Sequence, residues 1–194
     1  MGLRFVGDVH GKIKEYLQLI SKADCSIQLG DMGLGFRGIS LPELSNHYFI
    51  RGNHDSPDIC RGHANHLGDW GFRIINGRRI LYVAGGYSLD QDLRIPGVSW
   101  WPEEELSYEQ YEKILDFVEG KRIQIVVSHE APAAIVQQIF PGRAVGTRTS
   151  QGLEAIRCII KPKLWMFGHY HLHWDKKTDD TRFIGLDELE YLDY

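Results

Sequence analysis

Five short apolar runs constrain this chain more than anything else in its sequence. Residues 3–7, 25–29, 47–50, 123–127 and 164–167 are each mostly apolar, and each leads within a few positions into Asp, Asn or His. Runs of this length, apolar at most positions, read as strands buried on both faces. Between them lie amphipathic stretches such as 12–22, where Ile13, Tyr16, Leu17 and Ile20 share one helical face. The alternation predicts layered α/β packing. Ligands in open α/β sheets bind just beyond the carboxyl ends of the strands, so five such exits point to one shared cleft.

Local signals fill in the remainder. Asn76-Gly77, between 72–75 and 78–83, predicts a hairpin, because a type I′ turn needs two positive φ angles in succession. Ser107 and Gln110 form a capping box opening a helix that Gly120 ends. A further helix over 151–160 stops before Pro162, and 182–186 reads as a late strand. No repeat or linker breaks the pattern, so residues 1–194 are read as one domain.

Composition narrows the function. Lys and Arg number 22 against 26 Asp and Glu, a formal charge of -4. Stable nucleic-acid binding is not expected without a basic excess. Cys25, Cys60 and Cys158 are widely spaced with no CxxC pair, which favours free thiols over a cysteine zinc site. No apolar run approaches ~18 residues, so no membrane span is expected. The start of the chain lacks signal-peptide architecture, and a cytoplasmic location is the expectation. Self-association to a homo-oligomer is compatible with all of this.

The chemistry lies in the strand exits. Asp8 and His10 are two apart and point the same way on an extended segment. Asp31 follows Gly30, Asn53-His54-Asp55 follows Gly52, His129 follows Ser128, and His169 and His171 flank Tyr170 after Gly168. Taken singly, each also reads as a helix cap, a turn or a hydrogen-bonded structural residue. Together they crowd carboxylates and imidazoles into one place, which is costly unless a cation compensates. Mixed oxygen and imidazole donors suit first-row metals such as manganese, iron or zinc, whereas calcium would want mostly oxygen. His47, His63, His66 and His173 lack this context and are read as structural, supporting or solvated. Trp100 and Trp101 could stack a nucleobase, though core packing is the plainer reading. Arg143 and Arg148 could clamp a phosphate, with solvated arginines as the alternative. Glu103 to Glu105 reads as a solvated helix start.

In order, the motifs DVH (8–10), GD (30–31), GNHD (52–55), H (129) and GHYH (168–171) resemble those of the calcineurin-like metallophosphoesterase superfamily. The resemblance covers most of the chain. It implies an α/β fold of two mixed β-sheets packed as a sandwich flanked by helices, with two divalent or trivalent metal ions in the cleft. Manganese is the expected pair, with iron, zinc, nickel or magnesium as alternatives. One ion would take Asp8, His10, Asp31 and His171; the other would take Asp31, Asn53, His129 and His169, with Asp31 bridging. His54 would serve as general acid, with Asp55 holding its ring. The implied reaction is phosphodiester hydrolysis, by a hydroxide bridging the metals, on a small phosphoester or nucleotide. A phosphomonoesterase or protein phosphatase, a metal-dependent nuclease, and last a non-catalytic scaffold are the alternatives. The run 30–36 lacks the arginine of the protein phosphatases of this superfamily, and the chain looks more like its small bacterial and phage members.

Overall fold

In a computed structural model of the chain, which describes residues 2–142 and 146–194, two mixed sheets pack face to face. The smaller contains β1 (Arg4–Val6), β2 (Ser26–Gln28), β3 (His47–Phe49) and β10 (Tyr191–Asp193), in the order β10-β1-β2-β3. Its first three strands are parallel to one another, and β10 is antiparallel to β1. The larger contains β4 (Trp70–Ile75), β5 (Arg78–Val83), β6 (Ile125–Ser128), β7 (Leu164–Phe167), β8 (Trp174–Thr178) and β9 (Thr181–Gly185), ordered β4-β5-β6-β7-β9-β8. Strands β5, β6, β7 and β9 run parallel, with an antiparallel strand at each edge.

The apolar runs are continuous because the inner strands bury both faces, and successive side chains go to opposite layers. In β5, Ile80 and Tyr82 enter the core between the sheets, while Leu81 and Val83 enter the outer core. In β7, Leu164 and Met166 face inward and Trp165 and Phe167 outward. The outer core of the larger sheet is closed by α3 (Tyr108–Val118), α4 (Ala133–Ile139) and α5 (Arg148–Ile159). The smaller sheet is closed by α1 (Ile13–Ile20) and α2 (Pro57–Arg61), through Tyr16, Ile20 and Cys60 on Val6 and Phe49.

Local signals act as expected. Asn76 and Gly77 have φ of 50° and 73°, and β4 and β5 pair across them. Ser107 and Gln110 satisfy each other's backbone N–H groups at the start of α3. Two readings need correction. The last helix begins at Arg148, where Thr147 caps it by accepting from the Ser150 N–H. The reading of Glu103 to Glu105 as a solvated helix start holds only for Glu103, which is exposed in a short helical turn, Pro102–Glu104. Glu104 is buried, and Glu105 accepts from the Thr149 N–H and hydroxyl. Among the described residues, no helix is long and apolar enough to cross a membrane.

His66 reports on this packing. Its buried ring lies 5.2 Å from Phe49, its Nε2 has no hydrogen-bond partner, and burial pushes its pKa down to about 4. Between about 4 and the unfolded value near 6.5, the unfolded chain binds a proton that the native chain does not. Stability therefore falls as pH drops through that window. His66→Phe is expected to flatten this part of the pH–stability curve, by on the order of 2–3 kcal/mol at pH 4, in urea titrations from pH 7 to 4.

Candidate metal centre

The parallel strands of both sheets end at one edge, where their exits interlock. Val9 and His10 donate their N–H groups to the Asp31 carbonyl, and Gly168 donates to that of His129. His10, Asp31, His169 and His171 all have positive φ, between 47° and 70°. For residues other than glycine such geometry costs about 1 kcal/mol or more each and persists only where the surroundings enforce it. Two glycines make the convergence possible. A Cβ on Gly52 would strike the Asp31 carboxylate and the His129 ring, and one on Gly168 would strike the Asp8 carboxylate.

All seven expected ligand residues meet at this edge. Asp8, His10, Asp31 and His171 present one donor atom each, all within 4.8 Å of one another. His10 Nε2 lies 2.9 Å from His171 Nε2, which in turn lies 3.1 Å from Asp8 Oδ2. A second group adjoins it. His129 Nε2 is 3.3 Å from Asp31 Oδ1 and 3.0 Å from Asn53 Oδ1, and His169 Nδ1 is 3.1 Å from that same amide oxygen. Asp31 turns Oδ2 toward His10 at 3.8 Å and Oδ1 toward His129, as a carboxylate shared between two cations would.

These residues fit metal ions on their own chemistry. Donors ~2.0–2.2 Å from an ion stand roughly 3 Å from each other, which is the spacing found. Asp8 Oδ2 is buried and makes no hydrogen bond of proper geometry, meeting only the ring nitrogens of His171 and His10 at 3.1 and 3.6 Å. The His10 and His171 nitrogens face one another, an arrangement that a shared cation relieves. Burial alone would raise the Asp8 carboxyl, yet His10 and His171 hold it below the ordinary carboxylate range. Burial would likewise raise Asp31, and His129 holds it down. For His129, burial opposes the charged form but Asp31 overrides it, raising the pKa to about 10. His169 is pushed the other way, to about 3, by burial and then by the His129 charge. His129 Nδ1–H donates to the Leu29 carbonyl at 2.8 Å, which keeps a proton on Nδ1 and makes Nε2, facing Asp31, the nitrogen that would ligate on giving up its proton.

His54 and Asp55 divide differently from expectation. His54 donates its backbone N–H to Asp31 Oδ1 at 2.7 Å, and its ring stands edge-on to His10, with centroids 5.1 Å apart. Its Nε2 accepts from Arg94 Nη2 at 2.6 Å. The expected contact from Asp55 to that ring is replaced by another role. Asp55 is fully buried and accepts from the backbone N–H groups of Met32, Gly33, Leu34 and Gly52. It ties two ligand-bearing loops together because four backbone donors already occupy its oxygens.

Three further residues, Ser88, Glu104 and Arg94, are not assigned to the site by the sequence. Asn53 Nδ2 donates to Ser88 Oγ at 3.0 Å, and Ser88 donates to Glu104 Oε2 at 2.6 Å. This chain fixes the amide flip so that the Asn53 oxygen faces the ligand group. Ser88 and Glu104 come from separate loops, so no local spacing links them to Asn53. Arg94, the third, lines the cleft beside His54. Trp100 and Trp101 do not line it: Trp101 is buried edge-on against Phe36. Arg148 pairs with Glu105 at 3.6 Å, His173 pairs with Glu190, and Arg143 lies outside the described residues.

Two sheets with flanking helices, and a carboxylate–imidazole cluster at their common edge, define the architecture of a metallohydrolase. The calcineurin-like phosphoesterase pattern matches residues 1–173, and the chain belongs to that family. A lariat debranching enzyme of Entamoeba histolytica is 26% identical over 192 aligned residues, covering 84% of this chain and 53% of that protein. The chain thus spans about half the length of this curated relative. Among solved structures, a phosphopantetheinyl hydrolase of Mycobacterium tuberculosis aligns with a TM-score of 0.55 at 11% identity, covering 96% of this chain and 89% of its own. A candidate 5′-nucleotidase of Staphylococcus aureus aligns at 0.57 and 12%, covering 97% and 49%. Both likenesses are of fold.

Ser88→Ala removes the acceptor that orients Asn53 without touching a ligand. Affinity for added Mn²⁺, used as a probe, is expected to fall about 10-fold or more by calorimetric titration, with folding unchanged. Equal affinities in both proteins would contradict this role for Ser88.

Proposed function

We propose that this protein is a dinuclear-metal phosphodiesterase acting on a small substrate with an apolar or aromatic substituent, such as a nucleotide. The observation that carries the reading is the shape of the cleft. A cavity of about 540 Å³ continues from Asp31, Asn53, His169 and His171 into an annex walled by Tyr87, Leu89, Val136, Phe140 and Tyr170. A phosphate at the cluster would place its ester substituent there. The annex contains buried Glu130, which burial pushes up to about 7, so a second phosphate is disfavoured and a flat, neutral group is suited. The debranching relative acts on lariats, which supports a diester over a monoester. A compact substrate rather than a long nucleic acid, no membrane partner, and manganese as the native pair belong to the same proposal.

Two divalent ions held by Asp8, His10, Asp31 and His171 and by Asp31, Asn53, His129 and His169 would acidify a water and neutralise charge on the phosphate. The protein's own residues supply the remainder. Ser88 and Glu104 hold Asn53 in place, Asp55 holds the loops, and His54 lines the same cleft with its ring against that of His10. Burial and then Arg94, working against Asp31, keep the His54 pKa below its ordinary value, so the ring rests neutral. An arriving phosphate supplies the negative charge that favours its protonated form, ready to donate to the leaving oxygen.

His54→Gln keeps the ring-sized volume and hydrogen bonding but cannot donate a titratable proton. With Mn²⁺ bound at wild-type stoichiometry, turnover of an alkyl phosphodiester is expected to drop about 10²–10³-fold. Turnover of bis(p-nitrophenyl) phosphate, whose leaving group needs no proton, should drop far less. Similar losses on both substrates would refute the acid role. A panel of cyclic nucleotides, 2′,3′-cyclic phosphates, dinucleotides and monoesters with Mn²⁺ tests the substrate class, and preference for monoesters would overturn it.

A further inference from the structure

We infer that Arg94 is the phosphate-binding residue of this cleft, resting on His54 until a substrate replaces it. The inference deepens the phosphodiesterase reading and rests on it. Arg94 is the one lysine or arginine among the described cleft-lining residues. It belongs to the segment between β5 and α3, far in sequence from every ligand-bearing motif, so only the fold brings it here.

Its present contacts are those of a cation without its best partner. The side chain is 10% exposed, yet its carboxylate, Asp90, is 52% exposed and pairs at 2.7 Å through Nη2. The same Nη2 donates to His54 Nε2 at 2.6 Å, and Nη1 reaches the Ser99 carbonyl only at 3.4 Å. A guanidinium is a planar fork that matches the oxygens of a phosphate in pairs, whereas a ring nitrogen offers one neutral lone pair. An anion between the cluster and His54 would meet the guanidinium at the place now held by that ring nitrogen. Exchanging a neutral acceptor for a charged oxygen is favourable, and it releases the His54 ring toward the ester. Asp90, four residues away and half in water, pairs with Nη2 only, and Nη1 keeps just the long contact to the Ser99 carbonyl, so part of the fork is left for an anion.

The test uses the Mn²⁺-loaded full chain and its Arg94→Ala and Arg94→Lys variants. Orthophosphate is the probe, measured as a competitive inhibitor and by calorimetry, alongside KM and kcat for bis(p-nitrophenyl) phosphate. Arg94→Ala should weaken orthophosphate binding and raise KM by about 10- to 100-fold, the range for one charge-assisted hydrogen bond. Metal stoichiometry and melting temperature should be unchanged. Arg94→Lys, which keeps the charge but loses the fork, should fall between. If Arg94→Ala lowers kcat alone and binds orthophosphate as the wild type does, Arg94 merely positions His54 and the inference fails. It fails equally if both variants match the wild type. A wild type that hydrolyses no phosphoester with Mn²⁺ defeats the phosphodiesterase reading instead, while orthophosphate calorimetry still decides the role of Arg94.

Discussion

Two wholly buried carboxylates, Asp8 and Asp31, stand at the seam between the sheets, and the architecture around them answers their charge. An ionised carboxylate in an apolar interior is several kcal/mol uphill unless it is paired. Here the pairing is collective. Imidazoles come from both sheets, from His10 on one side and His129, His169 and His171 on the other. The remaining deficit, most evident at the Asp8 oxygen that meets only imidazole nitrogens and forms no proper hydrogen bond, is the place for cations. Both sheets must therefore end their parallel strands at the same edge, and the glycines before Asn53 and His169 must be bare.

A second layer of interactions converts that crowding into a defined geometry. Asp55 fastens the loops after β2 and β3 through four backbone N–H groups. The Glu104–Ser88–Asn53 chain sets an amide that would otherwise be free to flip. The Leu29 carbonyl keeps a proton on His129 Nδ1. Four of the clustered residues adopt left-handed backbone conformations that are unfavourable in isolation, and hydrogen bonds between neighbouring loops hold them there. Strain concentrated at such a place is consistent with a site built for ligation rather than for stability.

Much of the framework was legible because burial on two faces leaves an unmistakable trace. The stretches 125–127 and 164–167 are apolar at every position, since each residue enters one of two cores. Edge elements leave no such trace. The strand Trp174–Thr178 carries Asp175, Lys176 and Lys177 toward solvent, and Tyr191–Asp193 is three residues long, held by pairing with β1 at the other end of the chain. Short helices such as Pro57–Arg61 and Ala133–Ile139 exist because they cover sheet faces, not because their sequences demand them.

The ordered motifs made the family legible, the apolar runs the layered fold, and the strand exits the seven donor residues that cluster, because backbone geometry after a buried strand allows few directions for the next side chain. Tertiary structure decided what each ligand leans on. Asp55 serves the backbone rather than His54, Ser88 and Glu104 orient Asn53, and Arg94 enters the cleft from an unrelated loop. Apart from the short Gly52–Asp55 contact, those relations join residues 16 to 40 positions apart, and no local spacing encodes contacts made only when separate loops meet at one edge.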